Sequence, residues 1–240
     1  MKKLLLFLLM IIILPVHADQ TGCVKGDCMD GQGTLLFANG DRYEGQFKTG
    51  KMDGQGSLFW ASGNRYEGQY KAGQRDGQGA YFYANGNRHV GQYKTGKKDG
   101  QGTLFFANGD RYEGQFKAGK IDGLGSFFFT NGDRYEGQYK AGQREGQGTL
   151  FFASGNRYEG QYKAEMMEGQ GTLFWANGNR YEGQFKSDKI DGEGTLFYAN
   201  GDRYVGEYRL GMRNGWGIEY SETGSVVHSG FWENDEPVKP

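Results

Sequence analysis

The sequence predicts an all-β fold, an elongated single-layer antiparallel sheet built from tandem 23-residue β-hairpins. The same residues recur every 23 positions from Tyr43 onward. Short stretches alternate strictly between two kinds of side chain, which is typical of strands. No proline lies between Asp19 and Glu236, and a ladder of backbone hydrogen bonds needs such proline-free sequence. We therefore expect one continuous sheet.

Each repeat unit begins with the same pentapeptide, which reads Tyr-Glu-Gly-Gln-Phe at residues 43–47. Near-copies begin at Tyr66, Tyr112, Tyr135, Tyr158, Tyr181 and Tyr204, and a variant begins at His89. A degenerate unit covers residues 20–42, and the spacing slips near Trp216 and Trp232. Terminal repeats are expected to be atypical because they cap the stack. We assign residues 19–232 to an array of about nine units and residues 233–240 to an acidic tail.

Two strands are predicted within each unit. In the stretch from Arg42 to Lys48, one side carries Tyr43 and Phe47 with a glycine between them, and the other side is polar. The second stretch, residues 54–61, is again short and rich in aromatic residues, and the turn residues between the two strands lie at 50–54. Asn-Gly or Ser-Gly pairs link one unit to the next, which is a strong hairpin signal.

The 44 glycines need a physical reason, because glycine normally weakens a strand. Gly45 and Gly56 are in phase with Tyr43 and Leu58. We expect the missing side chains to leave room for aromatic rings that lie flat across the sheet. The alternative, a phosphate-binding Gly-Gln-Gly loop, lacks the helix N-terminus and the lysine that such loops use.

The first 18 residues have the layout of a secretory signal peptide. Two lysines precede an apolar run from Leu4 to Leu14, which is shorter than the roughly 20 residues that span a bilayer. The small residue Ala18 fits a cleavage site, so we expect the mature chain to start at Asp19. The alternatives are a permanent N-terminal membrane anchor or a lipid-modified Cys23, although the residues before Cys23 do not form a Leu-containing box.

Charge and cysteine content narrow the possible partners and the expected covalent structure of the protein. Removing residues 1–18 takes away two lysines and no acidic residue, so 28 basic residues become 26 against 29 acidic ones, a net charge of −3. A nucleic-acid partner is not expected, because such proteins show a basic excess. The two cysteines, Cys23 and Cys28, are not spaced as CxxC and have no further ligand nearby. In an exported chain we expect them to form a disulfide.

The repeat itself resembles a known family. The pattern Tyr-Glu-Gly-Gln-Phe-Lys, Gly-Lys, Asp-Gly-Gln-Gly, Leu-x-Phe, Ala-Asn-Gly-Asp-Arg is similar to the MORN (membrane occupation and recognition nexus) repeat, here in an exported, bacterial type of protein. The resemblance covers almost the whole mature chain. It implies a twisted sheet of stacked hairpins used for protein association or homodimerisation, and in several members for contact with phospholipid. Kinase or methyltransferase domains follow such arrays in some relatives, but no residues remain here for one.

One departure from the family pattern marks a candidate binding column. The position between the two core apolar residues of the second strand is usually polar in these repeats, but here it is occupied by Leu36, Phe59, Phe82, Phe105, Phe128, Phe151, Phe174 and Phe197. Alternation places this column on the face opposite Leu58 and Trp60. Exposed apolar stripes usually mark interfaces. The alternative is that Lys and Arg stems cover the rings.

No catalytic, cofactor or metal site is expected. A tandem repeat lays identical side chains in parallel ladders, whereas catalysis needs unlike groups that converge. His89 occupies a tyrosine position and is interpreted as an aromatic substitute, and His228 lies in the C-terminal cap. The Asp53, Asp76 and Asp99 series does not match a calcium motif, and turn chemistry explains it.

Three functional hypotheses follow. The first is a non-catalytic scaffold of the periplasm, cell envelope or secreted space that binds a protein partner or itself through aromatic and charged ladders. The second is a peripheral phospholipid-binding module that uses a basic ladder of Arg42, Lys48 and Lys51, although interleaved Glu44 and Asp53 weaken its field. The third, an enzyme, would need a site that the sequence does not display.

Overall fold

The computed structural model describes residues 21–239, so the predicted signal peptide and its cleavage site lie outside the described residues. The described chain contains twenty β-strands, all in one sheet. The strands are β1 (Gly22–Gly26), β2 (Gly31–Leu36), β3 (Arg42–Lys48), β4 (Lys51–Phe59), β5 (Arg65–Lys71), β6 (Gln74–Phe82), β7 (Arg88–Lys94), β8 (Lys97–Phe105), β9 (Arg111–Lys117), β10 (Lys120–Phe128), β11 (Arg134–Lys140), β12 (Gln143–Phe151), β13 (Arg157–Lys163), β14 (Met166–Phe174), β15 (Arg180–Lys186), β16 (Lys189–Phe197), β17 (Arg203–Arg209), β18 (Met212–Tyr220), β19 (Val226–Glu233) and β20 (Glu236–Pro237).

The strands pair in chain order. Each one is antiparallel to the strand before it and to the strand after it, so the sheet is an open meander with β1 and β20 at its two ends. Equivalent positions in consecutive units are two strands apart, roughly 9.6 Å along the sheet. This confirms the predicted all-β, single-layer antiparallel sheet of tandem hairpins.

The turn within each unit differs from the prediction. Residues 50–54 were expected to form it, but the reversal takes only Thr49 and Gly50, both with positive φ (49° and 70°), and β4 already begins at Lys51. Two-residue turns with positive φ match the right-handed twist of the flanking strands. The extra length of β4 is absorbed in a bulge opposite Gly45 and Phe47, where the Gln46 side-chain oxygen accepts the Gln55 N–H (2.7 Å).

Turn carboxylates join successive units. In the turn between units, Gly40 N–H donates to the Phe37 carbonyl (3.0 Å). The Asp41 side chain of that turn accepts the N–H of Ala61 in the next unit (2.9 Å). Asp53 accepts the N–H of Ala72 in the same way (3.0 Å). The aspartates therefore stabilise the stacking of units as well as single turns.

The core lies on one face of the sheet, called here the aromatic face and defined by Tyr43, Phe47 and Leu58 with their equivalents. Tyr43 is fully buried, and its hydroxyl donates to the Gln46 carbonyl (3.0 Å). A Cβ on Gly56 would overlap the ring of Tyr43, so this glycine is required for the ring to lie on the backbone. Tyr43 then meets Phe47 edge to face (5.1 Å between centroids), a favourable arrangement for rings.

Candidate interaction surfaces

The opposite face, called here the polar face and defined by Glu44, Gln46 and Phe59 with their equivalents, carries the predicted phenylalanine column. Arg42 lies directly across from Phe59 in the register, and its guanidinium stacks on the ring at 4.6 Å. The same pair recurs as Arg65–Phe82, Arg88–Phe105, Arg111–Phe128, Arg134–Phe151, Arg157–Phe174 and Arg180–Phe197, at 4.2 to 4.4 Å.

Ion pairs hold six of these seven arginines over the rings; the exception is Arg88, where Val90 takes the place of the glutamate. Arg42 contacts Glu44 at 2.6 Å, and six units share this arrangement. The rings are half-buried, while the arginine and glutamate side chains remain substantially exposed. The outer surface of the column therefore presents guanidinium and carboxylate groups. Arginine side chains cover the phenylalanine rings, as in the alternative interpretation. The column remains a predicted binding surface.

The predicted basic ladder is separated into two places. Lys48 and Lys51 face each other at the end of one hairpin, whereas Arg42 lies at the other end of β3, roughly 20 Å away at the rise of a strand. Exposed lysines therefore form a row along one long margin, called here the lysine rim: Lys48, Lys51, Lys71, Lys94, Lys97, Lys117, Lys120, Lys140, Lys163, Lys186 and Lys189. None of them forms an ion pair within residues 21–239.

An apolar patch, missed by the sequence analysis, lies on the polar face at the C-terminal end. Trp216 and Phe231 oppose each other on β18 and β19 with rings 5.2 Å apart, and they are 49% and 60% exposed. Beside them, Val205 opposes Ile218. The corresponding residues of the central units are Gln, Glu and Thr or Ser, with Ala80, Val90 and Leu124 as exceptions. Comparison of each repeat position along the chain would have found this C-terminal patch.

A second feature missed from the sequence is a set of cations on the aromatic face. The position of Met52 is occupied by Arg75, Lys98, Arg144 and Arg213 in other units. The guanidinium of Arg75 lies 5.1 to 5.8 Å from the ring centres of Trp60, Tyr66, Tyr81 and Tyr93. The cations at Arg144 and Arg213 also lie over aromatic rings.

His89 packs as an aromatic residue in a tyrosine position. It is fully buried, its ring is 4.7 Å from that of Phe116, and its Nδ1 is 2.8 Å from the Tyr93 hydroxyl. Burial, with a smaller contribution from the charge of Lys98, lowers the pKa of His89 to about 3. His228 takes the corresponding position beside Trp232, with ring centres 5.0 Å apart.

The two cysteines are joined in the N-terminal hairpin. Cys23 lies on β1, Cys28 follows that strand, and a disulfide links them.

The described residues contain no cluster of three or more His, Cys, Asp or Glu side chains that could hold a metal ion. Within residues 21–239, no helix is long and apolar enough to span a bilayer.

The arrangement defines a tandem hairpin array, and comparison with known proteins gives its family. The MORN repeat matches nine consecutive segments, residues 21–42, 43–65, 66–88, 89–111, 112–134, 135–157, 158–180, 181–203 and 204–226. The chain belongs to the MORN repeat family. A comparison with curated proteins found no match.

Several solved structures have a similar outline. The wild-type TCP10 domain of Danio rerio CPAP is 15% identical, covering 83% of this chain and 99% of that one, with a TM-score of 0.44. The G-box domain of the microcephaly protein CPAP is 14% identical, covering 85% and 100%, with a TM-score of 0.47. The Drosophila melanogaster SAS-4 TCP domain, in complex with a proline-rich motif of Ana2, is 17% identical, covering 72% and 99%, with a TM-score of 0.43.

Proposed function

We propose that this protein is a non-catalytic repeat scaffold of the cell envelope or secreted space that mediates protein interaction, and that its C-terminal apolar patch docks onto a second copy of the chain. One observation carries the proposal. Val205, Trp216, Ile218 and Phe231 bring four apolar side chains together at positions that most central units fill with polar residues, Ala80, Val90 and Leu124 being the central exceptions. Contiguous exposed apolar surface of this kind marks interfaces.

The position of the patch at a sheet end favours self-association. The short tail strand β20 pairs with β19 at Trp232 and Glu233, and Val238 N–H donates to the Phe231 carbonyl (2.8 Å). Within residues 21–239, the part of β19 before Phe231 has no strand on its outer side. Edge strands are templates for pairing with another chain. Two copies related by a twofold axis would juxtapose identical patches, which is the commonest oligomer geometry.

The size of the patch suits this partner. With roughly 150–250 Å² for a whole aromatic side chain, the exposed parts of Trp216 and Phe231 contribute about 100 Å² each, and Val205, which is 40% exposed, adds a smaller area. A standard interface buries about 800 Å² per partner. The apolar patch would supply over a quarter of that area, and polar surface around it would supply the rest.

The experiment is sedimentation analysis of residues 19–240 and of the double variant Trp216→Gln, Phe231→Gln. Glutamine occupies these positions in most of the central units, so the fold is expected to persist. We expect the native protein to dimerise and the variant to be monomeric. A matched control, Gln147→Ala with Gln161→Ala on the polar face of a central unit, is expected to leave the dimer unchanged. A native monomer at millimolar concentration would overturn self-association.

The export part of the proposal rests on residues 1–18 and on the disulfide. Lys2, Lys3 and the apolar run through Leu14 have the composition of a signal peptide, and disulfides persist in oxidising compartments. N-terminal sequencing of the protein recovered from the envelope or the medium is expected to begin at Asp19. A chain that retains Met1 in the cytoplasm contradicts this proposal.

The lysine rim favours a second candidate, a phospholipid surface. Basic residues near an anionic membrane each contribute about 1 kcal/mol of attraction, but Asp53 and its equivalents interleave with the rim. Flotation with vesicles of phosphatidylcholine containing anionic phosphatidylglycerol tests it. Salt-sensitive flotation that is lost in Lys48→Gln, Lys51→Gln, Lys94→Gln, Lys97→Gln supports this function, and no flotation at low salt contradicts it.

A further inference from the structure

Two of the cations on the aromatic face are neutralised by a carboxylate from the next turn. The Arg144 guanidinium contacts the Glu165 carboxylate (Nε to Oε2, 2.9 Å), and the Arg144 backbone N–H donates to the other carboxylate oxygen (2.8 Å). Arg213 is held in the same way by Asp235, which accepts its backbone N–H (2.8 Å) and lies 3.5 Å from Nε. The carboxylate therefore bridges the cation and the strand backbone.

In two other units this carboxylate is missing from the chain. Glu165 lies 21 residues after Arg144. The residue at the same distance after Arg75 is Gly96, and the one after Lys98 is Gly119. Arg75 donates to the Gly96 carbonyl (2.5 Å). Neither Arg75 nor Lys98 has a carboxylate partner within the part of the chain that the structure describes. A partly buried cation without an opposite charge is unfavourable.

The space that a carboxylate would need is open. A Cβ built on Gly96 or Gly119 would meet no atom within 4 Å. A cavity of about 260 Å³ lies here, lined by Arg75, Tyr81, Tyr83, Tyr93, Lys97 and Lys98. Arg75 and Lys98 occupy equivalent positions in consecutive units, so their backbones are roughly 9.6 Å apart. One small molecule can therefore reach both side chains.

We propose that this cavity binds a dicarboxylate, with one carboxylate on Arg75 in the place that Glu165 takes on Arg144, and the other on Lys98. The aromatic rings of Tyr81 and Tyr83 form the wall against which the apolar part of the ligand packs. The carboxylates belong either to a free small molecule or to neighbouring acidic side chains of a peptide. The site is independent of the C-terminal patch.

The chain itself offers the matched variants. Arg75→Met introduces the residue that another unit carries at Met52. Gly96→Glu introduces an internal carboxylate at a turn position whose φ is 80°, close to the 77° of Glu165 in the corresponding turn. The reverse change, Glu165→Gly, exposes the cation of Arg144. The neighbouring equivalent residues, Ile121 and Met167, are apolar, so this opened site takes a single carboxylate.

The experiment is a calorimetric and NMR titration of residues 19–240 with adipate, with 1,6-hexanediol as the uncharged control. We expect one adipate to bind per chain and hexanediol not to bind. Arg75→Met and Gly96→Glu are each expected to weaken the binding of adipate at least tenfold, while the far-ultraviolet circular dichroism spectrum stays native. Glu165→Gly is expected to add a site for acetate. A blocked Glu-Glu dipeptide that binds more tightly than adipate assigns the carboxylates to a peptide.

Three results would overturn the site. The first is no adipate binding to the native protein at tens of millimolar. The second is equal binding by the native protein and Arg75→Met, which would place the anion elsewhere. The third is undiminished binding by a folded Gly96→Glu variant, because its own carboxylate is expected to fill the position.

Discussion

Replacing His89 by tyrosine restores the repeat residue at the one central position that departs from it. In the other central units the tyrosine hydroxyl reaches a backbone carbonyl, as Tyr112 does with Gln115 (3.0 Å). His89 makes its bond to Tyr93 through Nδ1, but its buried Nε2 has no hydrogen-bond partner within the described residues. An unsatisfied buried polar group costs about 1–3 kcal/mol. His89→Tyr removes this unpaired group but also removes the hydrogen bond to the Tyr93 hydroxyl, whose equivalents Tyr70, Tyr162 and Tyr208 have no partner within the described residues. We therefore expect the two costs to offset each other and the substitution to change stability little near neutral pH.

The same substitution is expected to remove a dependence on acid. Burial first, and the Lys98 charge second, hold the pKa of His89 at about 3, against an ordinary value of 6.5. As the pH falls below 6.5, the unfolded chain therefore binds a proton before the folded chain does. The contribution of the neutral, buried His89 to folding stability is fully present above pH 6.5 and is lost as the pH falls toward 3. At pH 5 the loss is about 2 kcal/mol, since one pKa unit is worth about 1.4 kcal/mol.

Hydrogen exchange at pH 7.5 and pH 5, corrected for intrinsic rates, measures this effect locally. Repeat arrays unfold in parts, so protection in β7 and β8 is a better measure than a single global transition. We expect protection there to fall by about 2 kcal/mol more in the native protein than in His89→Tyr. His228→Tyr, the matched change in the last unit, is expected to leave β7 and β8 unaffected. Equal pH responses in the native protein and His89→Tyr would refute the reasoning.

Three further substitutions test the packing. Cys23→Ser is expected to reduce exchange protection in the first unit and leave the central units unchanged, because repeat stability is local; loss of protection along the whole array contradicts this. Gly125→Ala places a Cβ against the ring of Tyr112. It is expected to lower the free energy of unfolding in urea by about 1–3 kcal/mol, and an unchanged free energy would show that the ring has room to move. Arg134→Met removes a ring stack and the ion pair with Glu136 and is expected to cost at most about 1 kcal/mol, because the pair is exposed; a larger loss would show that the arginine ladder holds the sheet together.

Much of the fold could be predicted because its information is local and repeated. The alternation around Tyr43 and Phe47 identifies a strand, and the in-phase glycines predict the rings that lie on them. The position of the turn could not be predicted in the same way. The predicted segment, residues 50–54, includes Gly50 but not Thr49, because positive φ is unusual for a β-branched residue. The twist of the paired strands selects that conformation.

The candidate surfaces were less predictable. The sequence places Phe59 on the face opposite Leu58, but it does not show that Arg42 stacks on the ring, because that contact depends on the register between β3 and β4. The apolar C-terminal patch was visible only as unusual residues at Trp216 and Phe231. Strand pairing brings these two side chains together.

The sequence by itself determined the period, the strand class, the two faces and the glycine requirement, because each depends on residues a few positions apart. Tertiary structure decided which charges meet. Asp53 bonds to Ala72 and Glu165 to Arg144, each across the boundary between one hairpin and the next. Such pairs form only when the sheet's register and twist bring two turns together. The same geometry leaves Arg75 beside Gly96, with a cation and no carboxylate of its own.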